Sequence, residues 1–195
     1  MTDSYQNLTD RERAEQIALH YNEILKLIGE DSTREGLAKT PMRAAKALVD
    51  ITSGYRKNPL EIAQKAIFQH EGSEIVIVKD IEFYSMCEHH ILPFFGTVSV
   101  GYLPKGKILG LSKLARVVDC FARRLQVQEN LTGQICHLLE EALPNNGVIV
   151  ACRAEHLCMK MRGVEKQHSD TVTFDYTGRF ASEPELRREF LDLIR

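Results

Sequence analysis

The apolar positions change rhythm along the chain. Near the amino terminus, Ile17, Tyr21, Ile24, Leu25 and Ile28 recur at the spacing of one helix face. Thr9 and Glu12 ahead of them have capping-box spacing, and Gly29 supplies a stop. Thr40-Pro41 predicts a second helix start, with Met42, Ala45, Leu48 and Val49 as its apolar stripe and Gly54 near its end. Asn58-Pro59 predicts a short helix to about Phe68. From Glu74 the pattern turns to runs rich in Ile and Val. It predicts strands over 74–83 and 94–103, a turn at 104–106 and a short return strand over 107–111. Ser112 is placed to cap a helix whose inner face carries Leu114, Val117, Val118, Phe121 and Leu125. A further helix over 131–143 turns Ile135, Leu138, Leu139 and Ala142 inward. Beyond a turn at 144–147, the pattern predicts a long strand over 148–161 and another over 171–176. A closing helix over 183–194 carries Leu186, Phe190 and Leu193.

Strands in hairpin-like pairs, with helices grouped between them, predict an α+β fold built on an antiparallel sheet. A doubly wound parallel fold would alternate strand and helix more regularly. The change of rhythm divides the chain into a helical segment, 1–70, and a sheet-containing domain, 71–195.

Composition narrows the function. The chain has 195 residues and a net charge of −2, so bulk charge gives no sign of nucleic-acid or membrane binding. No apolar run approaches the ~18 residues of a membrane span. The polar first residues predict no signal peptide. Five cysteines is an odd number without framework spacing, which predicts free thiols or metal thiolates in a reducing, cytoplasmic setting.

The chemistry concentrates in two short clusters, Cys87-Glu88-His89-His90 and His156-Leu157-Cys158. Cys and His are the preferred zinc ligands, and three of them plus an open position make a catalytic site. In Cys87-x-x-His90 a tight turn or one helical turn can bring both ligands to one centre. His89 then points elsewhere, to move protons, to fill space or to act as a fourth ligand. If the strand over 148–161 continues its alternation, His156, Cys158, Lys160 and Arg162 share one face. Leu157, Met159 and Met161 would point into the core. An acid/base group, a thiolate and two cations in a row suit an anionic substrate beside a metal. Cys120, Cys136 and Cys152 read as buried small apolar residues. Ser112, Lys113 and Arg116 open a helix, and read equally as a phosphate site or as an ordinary cap with surface cations. Gln128-Glu129 reads first as a polar turn between helices and second as a pair able to hold a base edge. The G-Y-L-P-K-G-K stretch at 101–107 is not a P-loop, because Ile108 follows where Ser or Thr is required. The signature of zinc deaminases is absent.

Longer motifs carry a resemblance. They are F-Y-S-M-C-E-H-H at 83–90, L-P-F-F-G at 92–96, G-L-S-K-L-A-R at 110–116 and F-A-R-R-L-Q-V-Q-E-N-L-T at 121–132. A-E-H-L-C-M-K-M-R-G follows at 154–163, and K-x-x-S-x-T-x-T runs from Lys166 to Thr173. Together they resemble the GTP cyclohydrolase I family over nearly all of 74–173. The amino-terminal 70 residues match only loosely, and His168 departs from the pattern. The resemblance implies a T-fold, an antiparallel sheet with helices on one face, assembled as a homodecamer of two pentamers. It implies hydrolysis and rearrangement of GTP to 7,8-dihydroneopterin triphosphate and formate, the first step of tetrahydrofolate and pterin synthesis. Cys87, His90 and Cys158 match the Zn²⁺ ligands, and His89, His156 and Ser112 the catalytic groups. Glu129 matches the carboxylate on the guanine edge, with Gln128 beside it. Lys113, Arg116, Lys160 and Arg162 match the surroundings of ribose and triphosphate. Two relatives in chemistry remain as rivals: a purine hydrolase stopping at a ring-opened formamide, and the T-fold nitrile reductase, which needs a thiol nucleophile and a nicotinamide. The paired histidines favour hydrolysis.

Overall fold

The computed structural model describes Tyr5 and residues 7–195. The rest of the polar amino-terminal stretch lies outside the described residues. The chain divides into two compact units, Met1–Ser53 and Gly54–Arg195.

The first unit is a helix pair, α1 (Asp10–Leu27) and α2 (Thr40–Ile51). The Thr9 hydroxyl accepts from the Glu12 N–H while the Glu12 carboxylate accepts from the Thr9 N–H, so the expected capping box is formed. The packed seam differs from the expected stripe. Ala14 and Ala18 of α1 meet Ala45 and Val49 of α2, with Ile17, Tyr21 and Met42 alongside. Ile24 and Ile28 are exposed. Small side chains let helix backbones approach, so the alanines take the seam.

The second unit begins with α3 (Pro59–Gln64), where the Asn58 side chain accepts from the N–H groups of Leu60 and Glu61. Then come β1 (Ile67–Gln69), β2 (Val76–Cys87), β3 (Pro93–Pro104), β4 (Lys107–Leu109) and α4 (Leu111–Ala122). β5 (Leu125–Gln126), α5 (Gln128–Ala142), β6 (Asn145–His156), α6 (Leu157–Lys160) and β7 (Thr171–Tyr176) follow, and α7 (Arg179–Ser182) and α8 (Pro184–Leu193) close the chain. Buried Ala63 of α3 belongs to the core of this unit, and β1 pairs with β4. Residues 59–69, grouped by the sequence rhythm with the amino-terminal helices, therefore pack with the sheet domain.

The main sheet has the order β5-β2-β3-β6-β7. Its long pairings are antiparallel, as expected, but β5 runs parallel to β2 through Met86↔Leu125 and Cys87↔Gln126. The sheet is thus mixed rather than wholly antiparallel. A two-residue strand is too short for hydrophobic alternation to reveal. The return strand after Pro104 pairs with β1, not back onto β3.

Alternation along β6 explains the layers. Val148, Val150, Cys152 and Ala154 face a large core with Leu114, Val117 and Val118 of α4 and Leu131, Ile135 and Leu139 of α5. Ile149 and Ala151 face the other way, onto Phe180 and Phe190. Helices therefore cover parts of both sheet faces, where the expectation was one. Gly101 makes the second layer possible, since a Cβ there would lie 2.8 Å from the Phe190 ring. Burying a Phe side chain such as that of Phe190 is worth about 1.5–3 kcal/mol.

Candidate metal centre and active-site cleft

Sheet pairing assembles the site. β2 ends at Cys87, whose partner Gln126 leads directly into α5 and its first residues, Gln128 and Glu129. On the other side of β3, the pairing Phe94↔His156 brings the end of β6 to the same edge. The chain then leaves the sheet. β6 stops at His156 and α6 carries Cys158 and Lys160. The expected strand face from 156 to 162 is therefore not formed. Met159 and Met161, expected in the core, are exposed.

The Cys87–Leu92 turn is closed by its own backbone. The Ile91 N–H donates to the Cys87 carbonyl at 2.8 Å, and the Cys87 N–H donates to the Leu92 carbonyl at 2.9 Å. Ile91 has φ 53°, a left-handed conformation rare for a β-branched residue. The strain sits beside His90, where it fixes the turn that presents that side chain.

One ligand atom each from Cys87, His90 and Cys158 lies within 4.8 Å of the others. Cys87 is buried, Cys158 half-buried and His90 exposed. Burial and the adjacent Cys87 thiol push the Cys158 thiol up, and the Arg162 charge pulls it back. Tetrahedral zinc, with thiolates at about 2.3 Å and imidazole at about 2.0 Å, sets its donors roughly 3.5–3.8 Å apart. Cys87 Sγ and His90 Nδ1 are 3.7 Å apart. The three donors could hold a metal ion, and the Cys87–His90 separation is that of two ligands on one zinc.

A cleft of about 220 Å³ adjoins this cluster, lined by Cys87, His89, Gln128, Glu129, His156 and Thr171 among others. His89 is exposed, with Nε2 3.8 Å from the Glu88 carboxylate. His156 stacks on Phe94, centroids 4.7 Å apart and planes 3° from parallel. Burial holds the His156 imidazole below the ordinary histidine value, while Glu129 pulls the other way. The Gln128 side chain, expected at a base edge, is buried and bonded to protein groups throughout, including His156 at 2.8 Å.

The remaining expected residues lie off this cleft. Ser112, Lys113 and Arg116 sit in the first turns of α4, whose cap is Gly110 rather than Ser112. Lys160 is tied to Glu155 at 2.7 Å. Arg162 follows α6, close enough to Cys158 to act on its thiol. A larger cavity of about 360 Å³, between Tyr84, Phe95, Arg153 and Asp170, contains none of the expected ligands or proton-moving groups.

Cys120, Cys136 and Cys152 are buried, as expected, and all five cysteines are free. Burial pushes the Cys136 and Cys152 thiols up to about 12. Among the described residues no helix is long and apolar enough to cross a membrane. Phe94, Thr132 and Thr173 carry no chemistry that their own residue types single out in the sequence. Their one signal was position, Phe94 within L-P-F-F-G and Thr173 at the end of the K-x-x-S-x-T-x-T run.

Residues 17–195 match the family model described as GTP cyclohydrolase I. The match takes in α2 and most of α1, more of the amino-terminal segment than the motifs alone reached. A protein named GTP cyclohydrolase 1 from Porphyromonas gingivalis (strain ATCC 33277) is 55% identical over 183 residues, covering 94% of each chain. Another so named, from Bacteroides fragilis, is 54% identical over 181 residues and 93% of each chain. Among solved structures, the archaeosine synthase QueF-Like in its apo form aligns with a TM-score of 0.45 and 19% identity, over 55% of this chain and 97% of that one.

Proposed function

The chain belongs to the GTP cyclohydrolase I family, an enzyme acting on GTP, and from that premise we propose that it is a zinc enzyme releasing formate and 7,8-dihydroneopterin triphosphate. The observation that carries this reading is the Cys87–His90–Cys158 cluster opening onto a cleft that also holds His89, Glu129 and His156.

Cys87, His90 and Cys158 hold the metal. When bound, zinc supplies the Lewis acidity that brings a water pKa down to about 7. The guanine edge offers N–H donors at N1 and the 2-amino group, and the Glu129 carboxylate is acceptor-only, so it fits that edge. Burial favours the neutral form of the His156 imidazole, against the pull of Glu129. His156 takes a proton as water adds at C8 and delivers it to N7; the C8–N9 bond then breaks as the C8 hydroxyl becomes a formyl carbonyl and its proton passes to N9, which opens the imidazole ring. A second hydrolysis frees formate. His89, exposed at the cleft mouth, moves protons in the later ribose opening and rearrangement, assisted by Ser112 of a neighbouring copy, since this chain's own Ser112 lies off its cleft.

The triphosphate calls for cations, and a cleft of about 220 Å³ is below the usual 300–1,000 Å³ of a small-molecule site. One chain therefore encloses the reacting base. Arg162 and Lys160 extend from that side, while Lys113 and Arg116 of α4 serve the pocket of a neighbouring copy. This arrangement supports a homo-oligomer, with the decamer of two pentamers as the assembly proposed. Five free thiols suit a reducing, cytoplasmic compartment.

The test is direct. Purified protein is incubated with GTP and Zn²⁺, formate is measured, and the product is oxidised with iodine and read for neopterin fluorescence. Metal-dependent neopterin and formate are expected, and a chelator abolishes both. Formamide would instead mean the partial hydrolase, and consumption of a nicotinamide the reductase.

A further inference from the structure

Gln128 is 1% exposed, and both ends of its amide are bonded. The amide nitrogen lies 3.1 Å from the Cys152 carbonyl, 3.0 Å from the Thr171 carbonyl and 3.2 Å from Thr173 Oγ1. Backbone carbonyls only accept, so the NH₂ end must face them. The oxygen end then faces His156 Nε2 at 2.8 Å. An amide oxygen only accepts, so Nε2 must carry the proton.

The hydroxyls behind Gln128 are directed by the same logic. Thr132 Oγ1 lies 2.8 Å from the Gln128 backbone carbonyl and must donate to it. Its 2.7 Å contact with Thr173 Oγ1 is therefore received, not given. Thr173 donates to Thr132 and accepts from the Gln128 amide. The chain runs one way: His156 to Gln128 side chain, to Thr173, to Thr132, and back to the carbonyl of Gln128. Any reversal leaves a buried donor facing a donor, or a carbonyl facing an oxygen lone pair. The stacked Phe94 ring fixes the plane of the imidazole.

We propose that Gln128, backed by Thr173 and Thr132, is a positioning residue that locks His156 as the Nε2–H tautomer and leaves Nδ1 as its only proton-exchanging atom. The catalytic consequence rests on the function proposed above, but the tautomer does not. In that function, one O–H bond of water breaks as its oxygen bonds C8, and the proton goes to Nδ1. The C8=N7 π pair moves to N7, and the same proton passes from Nδ1 to N7. The Nε2 proton stays on the ring throughout, held by Gln128. Thr132 and Thr173 touch no reacting atom; they act through Gln128.

The tautomer is read by solid-state ¹⁵N NMR of zinc-loaded, full-length protein labelled at histidine, at pH 7.5. The His156 signals are identified by their loss in His156→Asn. A protonated Nε2 and a bare Nδ1 are expected, and a proton on Nδ1 in the wild type overturns the proposal. A kinetic arm uses Thr173→Val, which removes the hydroxyl and keeps the shape. The kcat for formate release is expected to fall about tenfold with KM for GTP within twofold, because geometry at the reacting group and not binding is lost. Thr173→Ser is expected to restore kcat. A wild-type kcat in Thr173→Val, or a KM that rises in step with the loss, overturns the positioning role. A wild type that shows the expected tautomer yet releases no formate sinks the proposed function and leaves the tautomer lock standing.

Discussion

Phe94 and His156 are Cα partners across β3 and β6, and their rings lie face to face, 4.7 Å between centroids and 3° from parallel. Phe94 is fully buried and also meets Phe83 edge-on at 5.7 Å. The last core ring of the sheet is thus the platform of the proposed proton-moving group. Packing and chemistry share one side chain.

Phe94 substitutions separate the two roles. Phe94→Ala should cost about 3–5 kcal/mol through the cavity it leaves, read as a lower urea midpoint. Phe94→Leu keeps most of the volume and should cost about 1.5 kcal/mol. Yet Phe94→Leu removes the flat surface under the imidazole, so its kcat for formate release should drop at least several-fold at saturating GTP. Wild-type turnover in a folded Phe94→Leu protein would show that the stack is only packing.

Cys158 offers a cleaner test of the metal. It is half-buried on the short α6, at the edge of the main core, so Cys158→Ser, a change of one atom, removes little packing. Hydroxyl for thiolate removes one of three proposed ligands. Zinc affinity should fall at least a hundredfold, and formate release with it, while the urea midpoint of the metal-free protein stays near that of metal-free wild type. Retained zinc at one per chain would remove Cys158 from the ligand set.

Thiol chemistry should divide the cysteines. Cys136 and Cys152 are fully buried with thiols pushed up to about 12. At pH 8 about one in ten thousand of either is thiolate, and the thiolate is the reactive form. Both should resist iodoacetamide in the native protein. Cys158 should alkylate in chelator-treated protein and be protected by zinc, read by peptide mass spectrometry. Rapid native labelling of Cys152 would contradict the packing of β6 against α5.

Much of this was legible in the sequence, and the failures have physical causes. The capping box of α1 and the alternation of β2, β3, β6 and β7 follow from local rules, because each element shows its period within its own residues. The end of β6 did not. His156-Leu157-Cys158-Met159-Lys160-Met161 keeps a strand-like alternation, but β3 begins at Pro93 and pairs its Phe94 with His156. Beyond that pair there is no strand to bond, so the backbone satisfies itself in α6. Cys158 still comes together with Cys87 and His90, because it reaches Cys87 from a helical turn as well as from a strand. Gln128 was seen but misplaced, since a side chain's partners 24 to 45 residues away leave no local trace.

Acid should weaken the tie between β6 and the segment before β7. Asp170 bonds Arg153, and that hydrogen bond and charge hold its carboxyl below the ordinary 3.8. The folded protein thus favours the ionised form more than the unfolded chain does. The resulting stability is fully present above the ordinary value and is lost as pH falls through the lower, folded one. Asp170→Asn should therefore be slightly less stable than wild type at pH 6, and the gap should close towards pH 3. The pair is exposed, so 0.5 M salt should narrow the gap at pH 6 as well. A gap that widens in acid would reverse the assigned sign.

Gly96 tests whether sheet register sets the site. It pairs with Ala154, two residues before the Phe94–His156 pair, and closes the L-P-F-F-G motif. A Cβ at this position would run into the Arg153 backbone carbonyl and come 2.7 Å from the Ala154 Cα. Those are backbone atoms, so no side-chain rotation relieves the contact, and β6 itself must move. Gly96→Ala should cost about 1–3 kcal/mol in urea denaturation. Because β6 delivers His156 to the cleft, formate release should fall further than the small loss of folded protein explains. Zinc binding should suffer less, since Cys87 and His90 come from the β2 side and only Cys158 follows β6. Gly96→Ala protein that loses stability but keeps wild-type kcat would mean that the last residues of β6 absorb the shift before it reaches the imidazole.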